Sequence, residues 1–334
     1  MDTKPVNLDQ LLDRDKSILE FNRRVLSWAL REDVPALERL RYVCIVSSNL
    51  DEFFEVRAAQ HLAAMVAQDH KGDYSVASFT DLAIAAHALV DEQYRIFNDF
   101  VTPALEASGV HVVSHGTRNA QQKKWVKDYF EREVQPLLMP VGLDPAHPFP
   151  LVANKSLNFI VRLAGNDAFG RANEIAIVKV PRVLPRLIRM PNKRGDKDVS
   201  LVSLSSVIRG HLSDLFPGRQ VSEFSQFRVT RHSDLAVDEE EVRNLRTALR
   251  LGLQQRHYGQ AVRLEVSSGC SAFLSEFLTA QFNLPPQAVY RVPGPVNLVR
   301  FSQLIDLVDQ PQLLFPAYRA VAPQELVPNV PIFD

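Results

Sequence analysis

Cysteine is nearly absent: the 334 residues contain two, Cys44 and Cys270. They lie far apart in apolar stretches with no CxxC spacing, which excludes a disulfide framework and leaves two buried thiols of a reducing compartment as the expectation. Long apolar runs are missing too. No uninterrupted stretch approaches the ~18 residues that a membrane span needs, and the opening MDTKPVNLDQLLDRDKSILE is charged throughout, without the apolar segment of a secretory leader. Neither charge is in excess, with 38 Lys and Arg against 39 Asp and Glu. A bulk nucleic-acid or membrane-surface binder normally carries a whole-chain field, so any anion site here has to be local. What remains is ordinary globular usage, 46% apolar and 23% charged, at a length that suggests about two packed domains. No internal repeat and no low-complexity segment is present.

Up to Gly109 the pattern is helical. Ile18, Phe21, Val25, Trp28 and Ala29 recur at the three-and-four spacing of one helix face, with Leu19, Leu26 and Leu30 widening it, over about 17–31. Asp33 and Pro35 signal the start of a second helix through Leu37, Leu40, Val43 and Cys44, expected to stop near Ser47. Ser48-x-x-Asp51 has the form of a capping box, so a third helix is expected to open there and run towards His70. Ser78-x-x-Asp81 similarly opens a long helix carrying Leu82, Ala86, Leu89, Phe97 and Phe100, with Gly109 as a stop.

Beyond Gly109, β-branched and aromatic runs at 110–115, 156–164, 174–180, 227–231, 261–266 and 289–292 read as strands. Helical patterns fall at 119–135, 204–215, about 239–256, 271–282 and 296–308. The expected fold class is therefore multidomain: an N-terminal all-α helical domain over 1–109, then an α+β head domain over 110–309. Residues 310–334, with prolines among apolar residues and no periodicity, read as the start of a linker.

Several familiar chemistries do not fit. Gly165-Asn-Asp-Ala-Phe-Gly170 has the glycine spacing of a P-loop, but Arg171 and Ala172 replace its Lys and Ser/Thr, and a strand follows where a helix is required, so a hairpin turn is the better reading. His111 and His115 lie on a strand without nearby acidic or cysteine ligands, and no metal site is expected there. Asp144 and His147 could form an acid/base pair, yet the three prolines of GLDPAHPFP argue for a rigid architectural loop. No GxSxG elbow occurs. The run KVPRVLPRLIRMPNKRGDK (179–197) is the strongest local anion signal, with Arg186, Arg189, Lys193 and Arg194 as candidate polyanion ligands. Solvated surface charge would look the same, and no aromatic in the run could stack on bases, so no specific nucleic acid is expected. Asn49 is the last candidate: its amide can match an adenine edge, or it can cap the helix expected to start beside it.

The run FNRRVLSWALREDVPALERLRYVCIVSSNLDEFFEVR (21–57) resembles the N-terminal domain of bacterial polyphosphate kinases of the first type. The stretches 135–161, 227–241, 258–266 and 290–301 look like successive parts of the same family's head domain, in the right order; Ile18 departs from the family's usual Trp. The resemblance implies reversible transfer of the terminal phosphate of ATP to polyphosphate through a phosphohistidine with Mg²⁺, by a cytoplasmic homodimer or higher oligomer that can associate peripherally with the inner membrane. It implies that the head domain serves dimerisation and that Asn49 belongs to the ATP site, close to the base. The family's phosphorylated histidine and its Mg²⁺- and phosphate-binding groups belong to motifs downstream of the proline-rich segment, and none of the nine histidines here lies in such a motif. The alternative is a non-catalytic polyanion-binding or assembly module. Residues 1–334 alone are predicted to make no polyphosphate from ATP, because phosphoryl transfer needs a positioned nucleophile and cations on the equatorial oxygens. A coupled assay that found ATP-dependent synthesis, lost on replacing a histidine within the chain, would overturn this.

Overall fold

The computed structural model describes residues 13–68, 74–144, 148–165, 174–191, 198–232 and 259–318. Asp13 caps helix α1 (Arg14–Ser27) by accepting from the Lys16 amide at 2.8 Å. The buried face of α1 carries Asp15, Leu19, Asn22 and Leu26, and Ala29 continues it. This corrects the expected stripe in part: Leu19, Leu26 and Ala29 are buried as expected, whereas Phe21 and Trp28 are 50% and 41% exposed. Both sets have helical spacing; the inner one wins because its two polar members find buried partners, described below.

Helix α2 (Ala36–Phe53) follows Pro35 and runs unbroken through Ser47, Ser48 and Asn49, so the expected helix junction does not exist. Val43, Val46, Ser47, Leu50 and Phe53 keep a buried stripe going across it, and tertiary packing overrides the capping tendency of the serines. A π-turn at Phe54–Ala58 then leads into α3 (Ala59–Ala67), which ends at Gln68 with φ 51°. Helix α4 (Val76–Ile96) is capped by Ser75, with Ser78 as the reciprocating third residue rather than the cap. A second π-turn, Phe97–Val101, joins it to α5 (Thr102–Ala107). Gly109 follows at φ +78°, where a Cβ would also lie 2.6 Å from the Asp198 carboxylate.

The remainder is mixed. The helices α6 (Ala120–Tyr129), α7 (Leu204–Arg209), α8 (Ala272–Gln281) and α9 (Gln303–Leu307) accompany two sheets. The smaller sheet is β1 (Val110–Val112), β6 (Val199–Ser203) and β5 (Leu187–Arg189), with β1 parallel and β5 antiparallel to the central β6. The larger is ordered β2 (Met139–Gly142), β4 (Ile175–Lys179), β3 (Asn158–Ala164), β7 (Gln220–Arg231), β8 (Ala261–Ser267) and β9 (Val289–Val292), antiparallel except for the β8/β9 pair. The chain is thus an N-terminal helical domain followed by an α+β head domain. Strands β2, β5 and β6 are absent from the sequence reading; β2 carries Pro140 and sits at a sheet edge, where a missing N–H is tolerated. Pairing of β3 with β4 agrees with the hairpin reading of 165–170, although 166–173, like His147 and the helix expected at 239–256, lies outside the described residues.

Four ionised side chains join the domains. Asp51 of α2 accepts from both terminal nitrogens of Arg228 on β7, at 2.8 and 2.9 Å, and also from Arg263 on β8. Arg228 and Arg263 both reach Glu265, and Asn297 accepts from Arg228 at 3.2 Å. Arg263 lies over the Phe54 ring, 4.3 Å from its centroid. All four ionised groups are buried, and their charges cancel within the group. Burial by itself would push the Asp51 carboxyl up, but Arg228 and Arg263 outweigh it and hold the group below its ordinary value. A second seam runs along α4: His87 stacks on Tyr290 with centroids 3.9 Å apart, and Tyr94 donates to the Pro295 carbonyl at 2.7 Å.

Removing one partner strands a buried charge, so Asp51→Asn should cost about 3–5 kcal/mol in denaturant unfolding at neutral pH. Because the folded carboxyl is depressed, its contribution is complete above the unfolded value of about 3.9 and disappears as pH falls through the folded one. The stability gap between wild type and Asp51→Asn should therefore narrow in acid; a gap independent of pH would contradict the pairing. Burial pushes the Cys44 thiol up to about 12 and raises that of Cys270 as well. Both should ignore Ellman's reagent in the native protein and react on unfolding.

Candidate functional site

The outer faces of α1 and α2 leave a groove of about 350 Å³. Ile18 and Phe21 line it from α1, Asn49 and Phe53 from α2, and Val56 and Arg57 from the π-turn. Phe21 and Val56 are half exposed, an arrangement that suits a flat apolar guest. Asn49 sits between these walls. Its Nδ2 donates to Asn22 Oδ1 at 2.9 Å, and Asn22 Nδ2 donates to the Ile18 carbonyl at 2.9 Å. Asn49 Oδ1 takes no hydrogen bond among the described residues. Lying in mid-helix, Asn49 is not the cap that the sequence pattern offered as an alternative, and no helix start adjoins it.

Glu52 separates this groove from a second opening of about 470 Å³. Here the lining is ionic: Glu55 from the π-turn, Lys155 and Asn297 from the head domain, and Arg300. Lys155, at φ 56°, reaches the two Glu55 oxygens at 2.9 and 3.0 Å, and Asn154 donates to the same carboxylate. Asp51 forms the base of this opening and is already neutralised by its arginines. The first groove combines apolar walls with the amides of Asn22 and Asn49 and the charges of Glu52 and Arg57, and the second sets Lys155 and Arg300 beside Asp51, Glu52 and Glu55, so a ligand with a flat apolar end and an anionic end would meet its cations at Lys155 and Arg300.

The basic run does not form the patch its composition suggests. Leu184, Leu187, Ile188 and Met190 are buried between the charges, so this segment is two-faced rather than solvated. Arg186 turns inward: its Nη1 is buried without a hydrogen-bond partner, and burial, with Arg300 and Arg182 nearby, pushes its guanidinium down to about 10. The cavity beside it, shared with Arg300, measures about 20 Å³, room for one water. Arg189 points outward and donates to the Leu307 carbonyl at 3.4 Å. Lys193 and Arg194 lie outside the described residues. Arg186 and Asn49 line different cavities, and Asn297 and Arg300 are shared between Arg186's cavity and the ionic opening.

Among the described residues no histidine lines either opening, and no group of three or more His, Cys, Asp or Glu is placed to hold a metal ion. His61 is bound to Asp15 and Ser78 at 3.0 and 2.9 Å, His111 to Asp198, and His211 to Asp214. A separate hollow of about 390 Å³ between α5, β1 and α7 carries His115 and Arg209, and none of the residues nominated from sequence lines it. Sequence reasoning missed Asn22, Lys155 and Arg300. For Asn22 a signal existed, since 15, 19, 22, 26 and 29 form a second helical stripe; for Lys155 and Arg300, single cations in loops, there was none.

The profile of the polyphosphate kinase N-terminal domain matches residues 11–113, and that of the polyphosphate kinase middle domain matches 121–304. A polyphosphate kinase of Neisseria gonorrhoeae is 47% identical over 330 residues, spanning 98% of this chain and 48% of that protein. One from Xylella fastidiosa is 48% identical over 313 residues, spanning 92% and 45%. The crystal structure of polyphosphate kinase from Porphyromonas gingivalis superposes with a TM-score of 0.72 at 25% identity, covering 95% of this chain and 43% of that one. The chain spans about half the length of these relatives. It belongs to the polyphosphate kinase family, of which it carries the N-terminal and middle domains.

Proposed function

We propose that this chain is the N-terminal portion of a polyphosphate kinase that reversibly transfers the terminal phosphate of ATP to inorganic polyphosphate through a phosphohistidine. In this reading residues 1–109 supply one wall of the nucleotide site, residues 110–309 add a dimer surface, and 310–334 begin the link to the catalytic part. The observation that carries it is the pair of joined openings. Adenine occupies the groove between Phe21 and Val56 with its edge on the Asn49 amide, and the phosphates lie towards Lys155 and Arg300.

Mg²⁺, which the family implies, does not fit the described residues. Asp51 is taken by two arginines and Glu55 by Lys155 and Asn154, which leaves Glu52 as the carboxylate of the opening without a bound cation or amide. No step is assigned to the metal here. No helix among the described residues is long and apolar enough to cross a membrane, and a cytoplasmic location, peripheral to the inner membrane at most, completes the proposal.

The alternative is a polyanion-binding module built on Arg186, Arg189, Lys193 and Arg194, against which stand the one-water cavity at Arg186 and the buried apolar residues between the charges. Its mark would be salt-sensitive retention of polyphosphate, lost when the four are neutralised. The nucleotide reading predicts that Asn49→Ala weakens ATP binding by about 1–3 kcal/mol, the cost of an unpaired polar partner, on top of the lower unfolding midpoint expected when Asn22 Oδ1 loses its donor. Equilibrium binding to fluorescent ATP measures it, and an unchanged affinity would remove Asn49 from the site.

A further inference from the structure

We propose that Asn22 is a positioning residue that fixes which way round the Asn49 amide faces, and so makes the groove select a 6-aminopurine over a 6-oxopurine. The inference rests on the nucleotide reading above and adds to it the source of base selectivity. Its argument begins at the one group in the chain of contacts that has no alternative. A backbone carbonyl can only accept, so Asn22 must turn its Nδ2 towards the Ile18 oxygen, 2.9 Å away. Asn22 is 1% exposed, with no water to take the amide if it turned over. Its Oδ1 therefore faces Asn49 and requires a donor there, which makes Asn49 present Nδ2 inwards at 2.9 Å. What is left for the groove is Asn49 Oδ1 and the second hydrogen on Nδ2.

That pair has a definite polarity. A 6-aminopurine offers an N–H to the oxygen and a ring nitrogen to the remaining amide hydrogen, so both bonds form. Read along the N1/C6 edge, a 6-oxopurine meets oxygen with oxygen and a ring N–H with an N–H, and both bonds are lost. An unrestrained asparagine could rotate its amide and read either edge. Discrimination consequently resides in Asn22, which lies beside Asn49 in the groove lining, 1% exposed, and is held by the backbone of α1. A purely structural Asn22 would support the α1/α2 contact without any bearing on the choice of base.

Binding of ATP and of its 6-oxo counterpart ITP to this chain separates the two roles. Wild type is expected to favour ATP by about tenfold or more, the worth of the hydrogen bonds exchanged for clashes. Asn22→Ser can still bond the Ile18 carbonyl but is too short to reach Asn49, and Asn22→Leu replaces the amide with an apolar group of similar volume. In whichever of the two keeps the native circular dichroism and melting transition, the ATP-to-ITP ratio should fall to within about threefold. Asn22→Asp keeps an acceptor facing Asn49 but gives up the donor to the Ile18 carbonyl, so where it keeps the native fold it should retain the wild-type ratio. An unchanged ratio in a folded Asn22→Ser or Asn22→Leu protein, with both nucleotides weakened alike, would overturn the positioning role while leaving the nucleotide site intact. Absence of ATP binding by wild type, or indifference to Asn49→Ala, would instead remove the nucleotide reading and this inference with it.

Discussion

The cluster of Asp51, Arg228, Arg263 and Glu265 sets the geometry on which everything else depends. It ties one point on α2 to two adjacent strands, and so fixes where the outer face of α2 lies relative to the head domain. Two positive and two negative groups in a buried volume are tolerable only together, because each stripped of its partners would carry most of its desolvation cost. A hydrophobic contact at the same place could slide. A bidentate pair between a carboxylate and a guanidinium cannot, and the placement of Lys155 and Arg300 around the ionic opening follows from that restriction.

How much of this was legible in the sequence differs from element to element. The change from helices to mixed structure near residue 110 could be read because long apolar periodicity survives any detail of packing. The phase of α1 could not, since spacing shows that a helix has an inner face without saying which stripe it is. Here the outcome was decided by Asp15 and Asn22, polar residues that a hydrophobicity argument assigns to the outside. Ser47 to Asp51 misled for a related reason: cap-forming residues describe what a helix start would need, and the partners of Asp51 lie 177 and 212 residues away. No local rule reaches that far.

Asn49 stood out by its amide, and family likeness favoured the ATP role over the cap, but its surroundings could not be read. The alternating Arg and apolar residues of 182–190 gave the opposite error, because charge density was visible while the inward turn of Arg186 was not. In both cases composition identified which residues were unusual, and only the fold determined which groups they faced. The two openings flanking Glu52 make the same point, since their residues come from α1, from α2 with its π-turn, from the 155 loop and from around residue 300, segments far apart in the linear chain.

The π-turn at Phe54–Ala58 makes α2 and α3 one continuous rod with an offset in it. From that rod Asn49 and His61 reach α1 at Asn22 and Asp15, two latches about two turns apart on the shorter helix. A helix held at two such points can neither roll nor shift lengthwise. The wall formed by Ile18 and Phe21 is accordingly rigid before any guest arrives, and little ordering entropy remains to be lost when one does.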